Sequence, residues 1–573
     1  MTTLHKPQLK QIARKVYNAV YWLLLFNLIA LGWPGRALAI SVTGDGDAFF
    51  GFSTNTNPRY SYYTNSTNTF GAQTNAANAS ATINWTRIQS SPTEDLLVAG
   101  SLSTAASNNL TIQTSDGNNT NWTAQWSVTD AVTTYQSFDI AFEGSSGDAI
   151  VVYSDNTATP KYRTYTASTH TWDSSSSSIT VTLTTGTIRW VKLKTNPGTD
   201  TIGLAYSSAD TSGSNVNSLI WNGSAWGNEP GTAWGTTIMA SSINDDFDLG
   251  WETSNDALDV VTASLNTTTY PTYIFYRRWT SAGGWSASAR IGTTGQDVAQ
   301  YHIRVAGDPK STANCIAVAS LDNNATTPDL HAYLFNGTTW YLNTNLDTTT
   351  YSDNNPHVDL EFAGTTDQAV LLYADASAGT TMTIKYANSC NSAAWTTPSS
   401  GTSPTSTSAT RFIQAYADPS SSNILFLTSE VTAAGDITAY KYTYAATPTL
   451  SSIAETSGSP ITTDVSSSTT ESFSFAFERL NLVPTLTEIL FLALVGCAVF
   501  LGVRTGVIKI RKNESIGPKD IKNPPNKNIP PIETLGSDNH QISHIHQGHP
   551  SPGQGELRVT KSIDGITNRN PKS

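Results

Sequence analysis

The sequence predicts an all-β fold. It reads as an eight-bladed β-propeller of four pairs of alternating blades, closed by N- and C-terminal strands, with a single C-terminal transmembrane helix. Three observations predict it. The middle of the chain is rich in polar turn formers set between period-two strands. Two strand units alternate there at a near-constant spacing. The two ends of the repeat region are complementary halves of one unit.

Composition comes first. Hydrophobic residues make up 38% of the 573 and charged residues only 13%, with Ser, Thr, Asn, Gly and Asp filling much of the rest. Those residues prefer turns and caps to helix interiors. Aromatics reach 10%, including 15 Trp, enough to build a large core and too many for a disordered chain.

The repeats carry the fold. One unit opens with an aromatic-Asp strand: Phe138-Asp139-Ile140-Ala141-Phe142-Glu143, Phe247-Asp248-Leu249-Gly250-Trp251-Glu252, then Val358-Asp359-Leu360-Glu361-Phe362. The other opens with a strand that runs to a proline: Arg87 to Pro92, Lys192 to Pro197, Arg304 to Pro309, Ile413 to Pro419. Those prolines lie 105, 112 and 110 residues apart, so one unit is about 54 residues. Second strands are apolar, as in Ala149–Tyr153 and Gln368–Tyr373, and third strands follow a polar turn, as in Lys161–Tyr165. Asn222-Gly223 and Asn336-Gly337 stand between aromatics and mark hairpins into the fourth strand. Four antiparallel strands per unit is one propeller blade.

The ends of the repeat region sharpen this. Gly46 to Ser53 matches Gly147 to Ser154, and Pro58-Arg59-Tyr60 matches Pro160-Lys161-Tyr162. The region therefore starts inside a unit, without its first strand. Phe473-Ser474-Phe475-Ala476-Phe477-Glu478 supplies that strand at the far end. A ring closed this way has no open sheet edge.

Flanking segments set an expected topology. Residues 1–39 read as a signal peptide: Lys6, Lys10, Arg14 and Lys15 precede the apolar stretch Val20 to Leu31, and Ala37-Leu38-Ala39 forms the cleavage pattern. The propeller is expected over 40–480 and a linker over 481–488. A transmembrane helix over 489–510 contains fifteen apolar or small residues, Ile489 to Val503, with Arg504 and Lys509 snorkelling. Arg511 and Lys512 place the 511–573 tail in the cytoplasm. That tail is Pro-, Asn- and Lys-rich and reads as disordered; its His540, His544, His546 and His549 lack a second ligand set. Val483-Pro484-Thr485-Leu486-Thr487-Glu488 resembles the IPTL-type C-terminal sorting signals of bacterial exported proteins, although Ile489 stands where they carry Trp. The resemblance implies export and anchoring at the cell surface.

Charge excludes one function class. Residues 40–480 carry 37 acidic and 16 basic side chains. Nucleic-acid binding needs a basic stripe, so it is not expected. Ser115-Asp116-Gly117 followed by Trp122 resembles the Asp-box turn of sialidases, which implies a propeller scaffold and not the activity. Arg87, Arg189, Arg304 and Arg411 sit at repeat positions and read as symmetry.

In the first strands, Arg87, Lys192 and Arg304 hold the position that Asp139, Asp248 and Asp359 hold in the alternate units, with Gln414 and Ser474 completing the set. If these strands are innermost, acid and base alternate around a central channel, either as ion pairs between blades or as a polar binding site. Asp245, Asp246 and Glu252 are the one group offered as catalytic carboxylates. Asp322-Asn323-Asn324 and Asn244-Asp245-Asp246 are candidate Ca²⁺ loops without regular ligand spacing, and read as polar turns. His170, His302, His331 and His357 stand singly. Cys315 and Cys390 could pair in an oxidising compartment but read first as two unpaired buried thiols, and Cys497 lies in the apolar segment. No cofactor is expected. The expected function is binding or adhesion to a glycan or protein ligand outside the cell, the alternatives being a polysaccharide hydrolase or lyase and a structural envelope protein.

Overall fold

A computed structural model describes residues 48–477 apart from short internal segments, the longest being 232–245, 399–408 and 463–472. The chain divides into two units, Met1–Leu492 and Ala493–Ser573. The second lies wholly outside the described residues, as do the signal and anchor segments. Among the described residues no helix is long and apolar enough to cross a membrane.

The described chain is all-β, with one short 3₁₀ turn at Ala167–Thr169. Its strands form seven sheets. Six are antiparallel meanders that open at Ile83, Phe138, Thr187, Phe247, Gln300 and Val358, and each sheet is named here by that residue. The seventh has ten strands in two antiparallel halves. One half opens at Thr410; the other holds Ala48–Thr54, Asn57–Thr64 and Thr69–Phe70. A parallel contact of Thr69 and Phe70 with Ala454 and Glu455 joins the halves. The strand Phe473–Phe477 pairs antiparallel with Ala48–Thr54, with Ala48 opposite Phe477 and Phe52 opposite Phe473. First strands of consecutive sheets are neighbours from Ile83 through to Thr410, and Phe473–Phe477 neighbours both Ile83–Ser90 and Thr410–Ala417.

Second strands are buried on both faces, which explains their unbroken apolar character. In the Phe138 sheet, Ala149, Val151 and Tyr153 enter a core with Leu102, Leu110 and Trp126 of the Ile83 sheet. Ile150 and Val152, on the opposite face, pack with Leu204 and Leu219 of the Thr187 sheet. Leu371 and Leu372 divide in the same way between their two neighbours. Close approach of sheets fixes some glycines: a Cβ on Gly307 would strike the Trp251 backbone, and one on Gly100 the Phe138 ring.

Some sequence expectations needed adjustment. First strands of the proline-ending type begin earlier than expected, at Ile83, Thr187, Gln300 and Thr410, each with a bulge near its start. The Asn-Gly hairpins are four-residue turns: Trp221 pairs with Trp226, Gly223 takes φ 87°, and the Asn222 carboxamide oxygen accepts from the Ser224 and Ala225 amides. In the Val358 sheet the fourth strand shrinks to a single bridge between Tyr386 and Thr396.

The cysteine reading is overturned. Cys315 and Cys390 form a disulfide, with Cα atoms 5.8 Å apart and 75 residues between them in sequence. The Gln300 and Val358 sheets pack face to face, and both sulfurs end in their shared core. Replacing Cys315 with Ser is expected to lower unfolding free energy by about 2–4 kcal/mol, the usual worth of such a crosslink. Denaturant melts of the variant and wild type, with and without reductant, check this: reductant should shift the wild type only.

Candidate functional site

The six predicted ring residues lie on six successive first strands, and the structure joins them in three pairs. Arg87 Nε lies 3.5 Å from Asp139 Oδ1, Lys192 Nζ 3.5 Å from Asp248 Oδ1, and Arg304 Nε 3.8 Å from Asp359 Oδ1. The second oxygen of each aspartate accepts a backbone N–H from the following sheet: Leu193 to Asp139 at 2.8 Å, Val305 to Asp248 at 3.0 Å, Ala415 to Asp359 at 2.8 Å. One carboxylate therefore ties three consecutive sheets. Burial pushes the Asp139 and Asp359 carboxyls above the ordinary range, against their Arg partners and the amide donors. Repeat spacing located these residues; nothing in the sequence revealed the second set of partners, because those are main-chain atoms.

One residue further along this face stands a less regular set. Lys194 is exposed, and the nearby carboxylates Asp248, Glu361, Asp359 and Asp139 together raise its pKa above the ordinary value against the desolvation that opposes its charge. Burial pushes the Glu361 carboxyl up to about 7 despite Lys194. The Tyr416 hydroxyl donates to Gln89 Oε1 at 2.9 Å.

A second feature lies between the Ala48 half-sheet and the Ile83 sheet. There a narrow cleft, partly open to solvent and with room for about one water (about 20 Å³), is lined by Arg59, Tyr60, Thr86, Arg87, Ala99, Ser101, Gln113 and Trp122, with apolar neighbours. Tyr60 and Trp122 meet edge to face with ring centres 5.6 Å apart. The Gln113 side chain is fully buried; its Oε1 accepts the Ala77 N–H at 2.9 Å, while its Nε2 has no partner. Trp122 Nε1 also has none.

Register explains why the cleft is here. Counting from the first strands, Ala99, Gln113 and Ser115 are equivalent to Leu204, Leu219 and Trp221 in the Thr187 sheet. In the Gln300 sheet the same places hold Val318, Tyr333 and Phe335, and in the Thr410 half Phe426, Tyr440 and Tyr442. Three sheets fill this space with large apolar side chains; the Ile83 sheet places the smaller or polar Ala99, Gln113 and Ser115 there. The aromatic pair itself recurs, as Tyr162 with Trp226 and Tyr276 with Trp340. Sequence reading singled out Trp122 and the segment containing Tyr60 as repeat features, but missed Gln113, which shows only as a break in symmetry once register is known.

Other candidates do not converge. Asp246 is fully buried and Asp245 lies outside the described residues. Glu252 is buried and held by Arg278 and Asn255, so it serves the core. Its carboxyl partner is Asp259, whose pKa burial and Glu252 raise well above the ordinary value. Asp322 accepts the Asp329 amide and faces His331 at 3.8 Å. Asn323, Asn324 and Asn244 lie outside the described residues. Among the described residues no cluster of three or more His, Cys, Asp or Glu is placed to hold a metal. His170 sits 3.3 Å from Glu94, while His302 and His357 are buried in separate sheets. Ser115 and Trp122 of the Asp-box-like turn are described; Asp116 and Gly117 are not.

No protein-family model matches the chain, and no curated protein matches it in sequence. Among solved structures it is similar to AofleA from Arthrobotrys oligospora, at 12% identity and TM-score 0.32 over 61% of this chain and 91% of that one. A fucose-specific lectin from Aleuria aurantia is similar at 12% identity and TM-score 0.30, over 56% and 96%. The polysaccharide lyase Uly1 is similar at 9% identity and TM-score 0.40, over 62% and 88%. Likeness at this level assigns neither family nor activity.

Two variants test the electrostatics. Asp248→Ala removes the partner of buried Lys192 and the acceptor of the Val305 amide, so a loss of about 3–5 kcal/mol is expected in denaturant melts. Asp308 is fully buried, and burial together with the Asp367 carboxylate pushes it up to about 7. The fold therefore holds a proton that the unfolded chain has lost above about pH 4. Its contribution to stability is full below that pH and fades as pH rises through about 7. Asp308→Asn, which mimics the protonated form, should raise the melting temperature at pH 8 and leave it nearly unchanged at pH 4.

Proposed function

We propose that this chain is a glycan-binding protein of the cell surface, whose ligand docks over Tyr60 and Trp122 at the mouth of the cleft between the Ala48 half-sheet and the Ile83 sheet. The observation that carries the proposal is the symmetry break at Ala99, Gln113 and Ser115. Where three equivalent sheets pack apolar side chains next to the recurring aromatic pair, this one sets a buried, unpaired amide donor beside Tyr60 and Trp122. Aromatic faces with a few fixed polar groups suit a saccharide, whose rings stack while its hydroxyls hydrogen-bond.

The scaffold proposed for it is a closed eight-bladed propeller, with the six smaller sheets and the two halves of the large one as blades. The neighbouring first strands and the pairing of Phe473–Phe477 with Ala48–Thr54 support closure. Export is supported by the Cys315–Cys390 disulfide, since such bonds persist in oxidising compartments. A signal peptide over 1–39 and a single-pass anchor over 489–510 with a cytoplasmic tail complete the proposal, on the residues given above. Hydrolase or lyase chemistry has less support, because Glu252 and Asp259 are buried in the core of their sheet.

A glycan array probed with the purified chain tests this reading. Selective binding to one saccharide class, lost at least tenfold in Trp122→Ala, is expected. No binding at high protein concentration, or binding indifferent to Trp122→Ala, overturns it.

A further inference from the structure

Resting on the glycan reading, we infer that Gln113 sets which glycan is bound, and that it does so through one ordered water. The cleft has room for about 20 Å³, enough for a single water and too little for a sugar group. Gln113 fixes how that water is held. The Ala77 N–H can only donate, so the carboxamide turns its oxygen to that amide, at 2.9 Å, and is left with its NH₂. That NH₂ is fully buried, belongs to a residue lining the cleft, and has no partner in the protein. A water in the cleft accepts from it. Ser101 and Thr86 line the same space with hydroxyls that both donate and accept, so the water finds the polar partners a buried site requires.

Accepting from Gln113 leaves the water two O–H groups to give. One goes to a lining hydroxyl, and the other faces the mouth, where Tyr60 and Trp122 form the docking surface. A sugar oxygen seated over that pair takes it, in a bridge nearly as favourable as a direct hydrogen bond. The equivalent sheets show why this contact, and not the stacking, discriminates. The aromatic pair recurs as Tyr162 with Trp226 and as Tyr276 with Trp340. Beside those pairs the place of Gln113 is held by Leu219 and Tyr333, packed in apolar cores that offer no amide. Rings alone accept many sugars; a fixed donor selects those with an oxygen in the right place.

The test compares the full chain's affinity for the glycan selected on the array with that for its mono-deoxy analogues. Removing the one oxygen that meets the water should weaken binding to the wild type by about fivefold or more. Two variants place the effect. Gln113→Leu installs the residue found at 219, so it should keep the fold while removing the donor. Gln113→Glu keeps an oxygen for the Ala77 N–H and removes only the NH₂. Both should bind the parent glycan about fivefold more weakly and no longer distinguish it from that deoxy analogue. A crystal structure of the complex should show one water within hydrogen-bond distance of Gln113 Nε2 and of the sugar. Wild-type discrimination by Gln113→Glu reduces Gln113 to a support for Ala77 and overturns the inference. So does a complex with no such water. In either case binding that is lost in Trp122→Ala leaves the glycan reading standing. Failure of the wild type to bind any glycan overturns both proposals.

Discussion

The aspartates of the first strands are the constraint on which the arrangement depends. Each of Asp139, Asp248 and Asp359 spends one oxygen on the cation of the preceding sheet and the other on a main-chain amide of the following one. A buried carboxylate is costly unless both oxygens are satisfied by partners of the right sign. Here that requirement is met only when three sheets stand side by side in the correct order. Apolar packing alone would not set the order, because second strands of every sheet present similar Val, Ile, Leu and Ala surfaces to either neighbour. The charged residues supply the distinction. Thr187–Thr195 and Gln300–Gly307, whose Leu193 and Val305 amides the aspartates bind, each carry a bulge near their start.

Much of this was legible in the sequence. The period-two second strands, the repeat spacing and the match of Gly46–Ser53 with Gly147–Ser154 gave the meanders and the end pairing, because strand burial on both faces leaves an apolar run that cannot be mistaken for a solvent-facing strand. Alternating Arg or Lys and Asp marked the first-strand positions that pair between sheets. What remained hidden depends on register across sheets. Gln113 is an ordinary polar residue in a strand until Leu204–Leu219 and Val318–Tyr333 are laid beside Ala99–Gln113. Likewise, Cys315 and Cys390 are in different units, and only the face-to-face packing of two sheets shows that their Cα atoms are within bonding range.

The buried carboxyls divide by what surrounds them. Asp259 and Glu252 share a site with Arg278, and Asp308 shares one with Asp367 and Lys310. At both places burial and a neighbouring carboxylate raise the pKa of one carboxyl, Asp259 or Asp308. Lys194 and Glu361 differ, because they come from sheets far apart in the chain yet are close enough to feel each other's charge. Polar groups thus serve here chiefly to specify arrangement, and the cleft at Gln113 is the exception that no packing requirement explains.

The pairing of Ala48–Thr54 with Phe473–Phe477 has a temporal consequence. These strands are more than four hundred residues apart in the chain, a contact of extreme sequence separation and correspondingly slow closure. As the polypeptide emerges end first, its earliest sheet must wait with an unpaired edge until nearly all the rest has been delivered. During that interval the edge is open to pairing with another molecule. Completion of this edge therefore waits on Phe473–Phe477, and a chain stalled or truncated before Phe473 would leave Ala48–Thr54 without that partner.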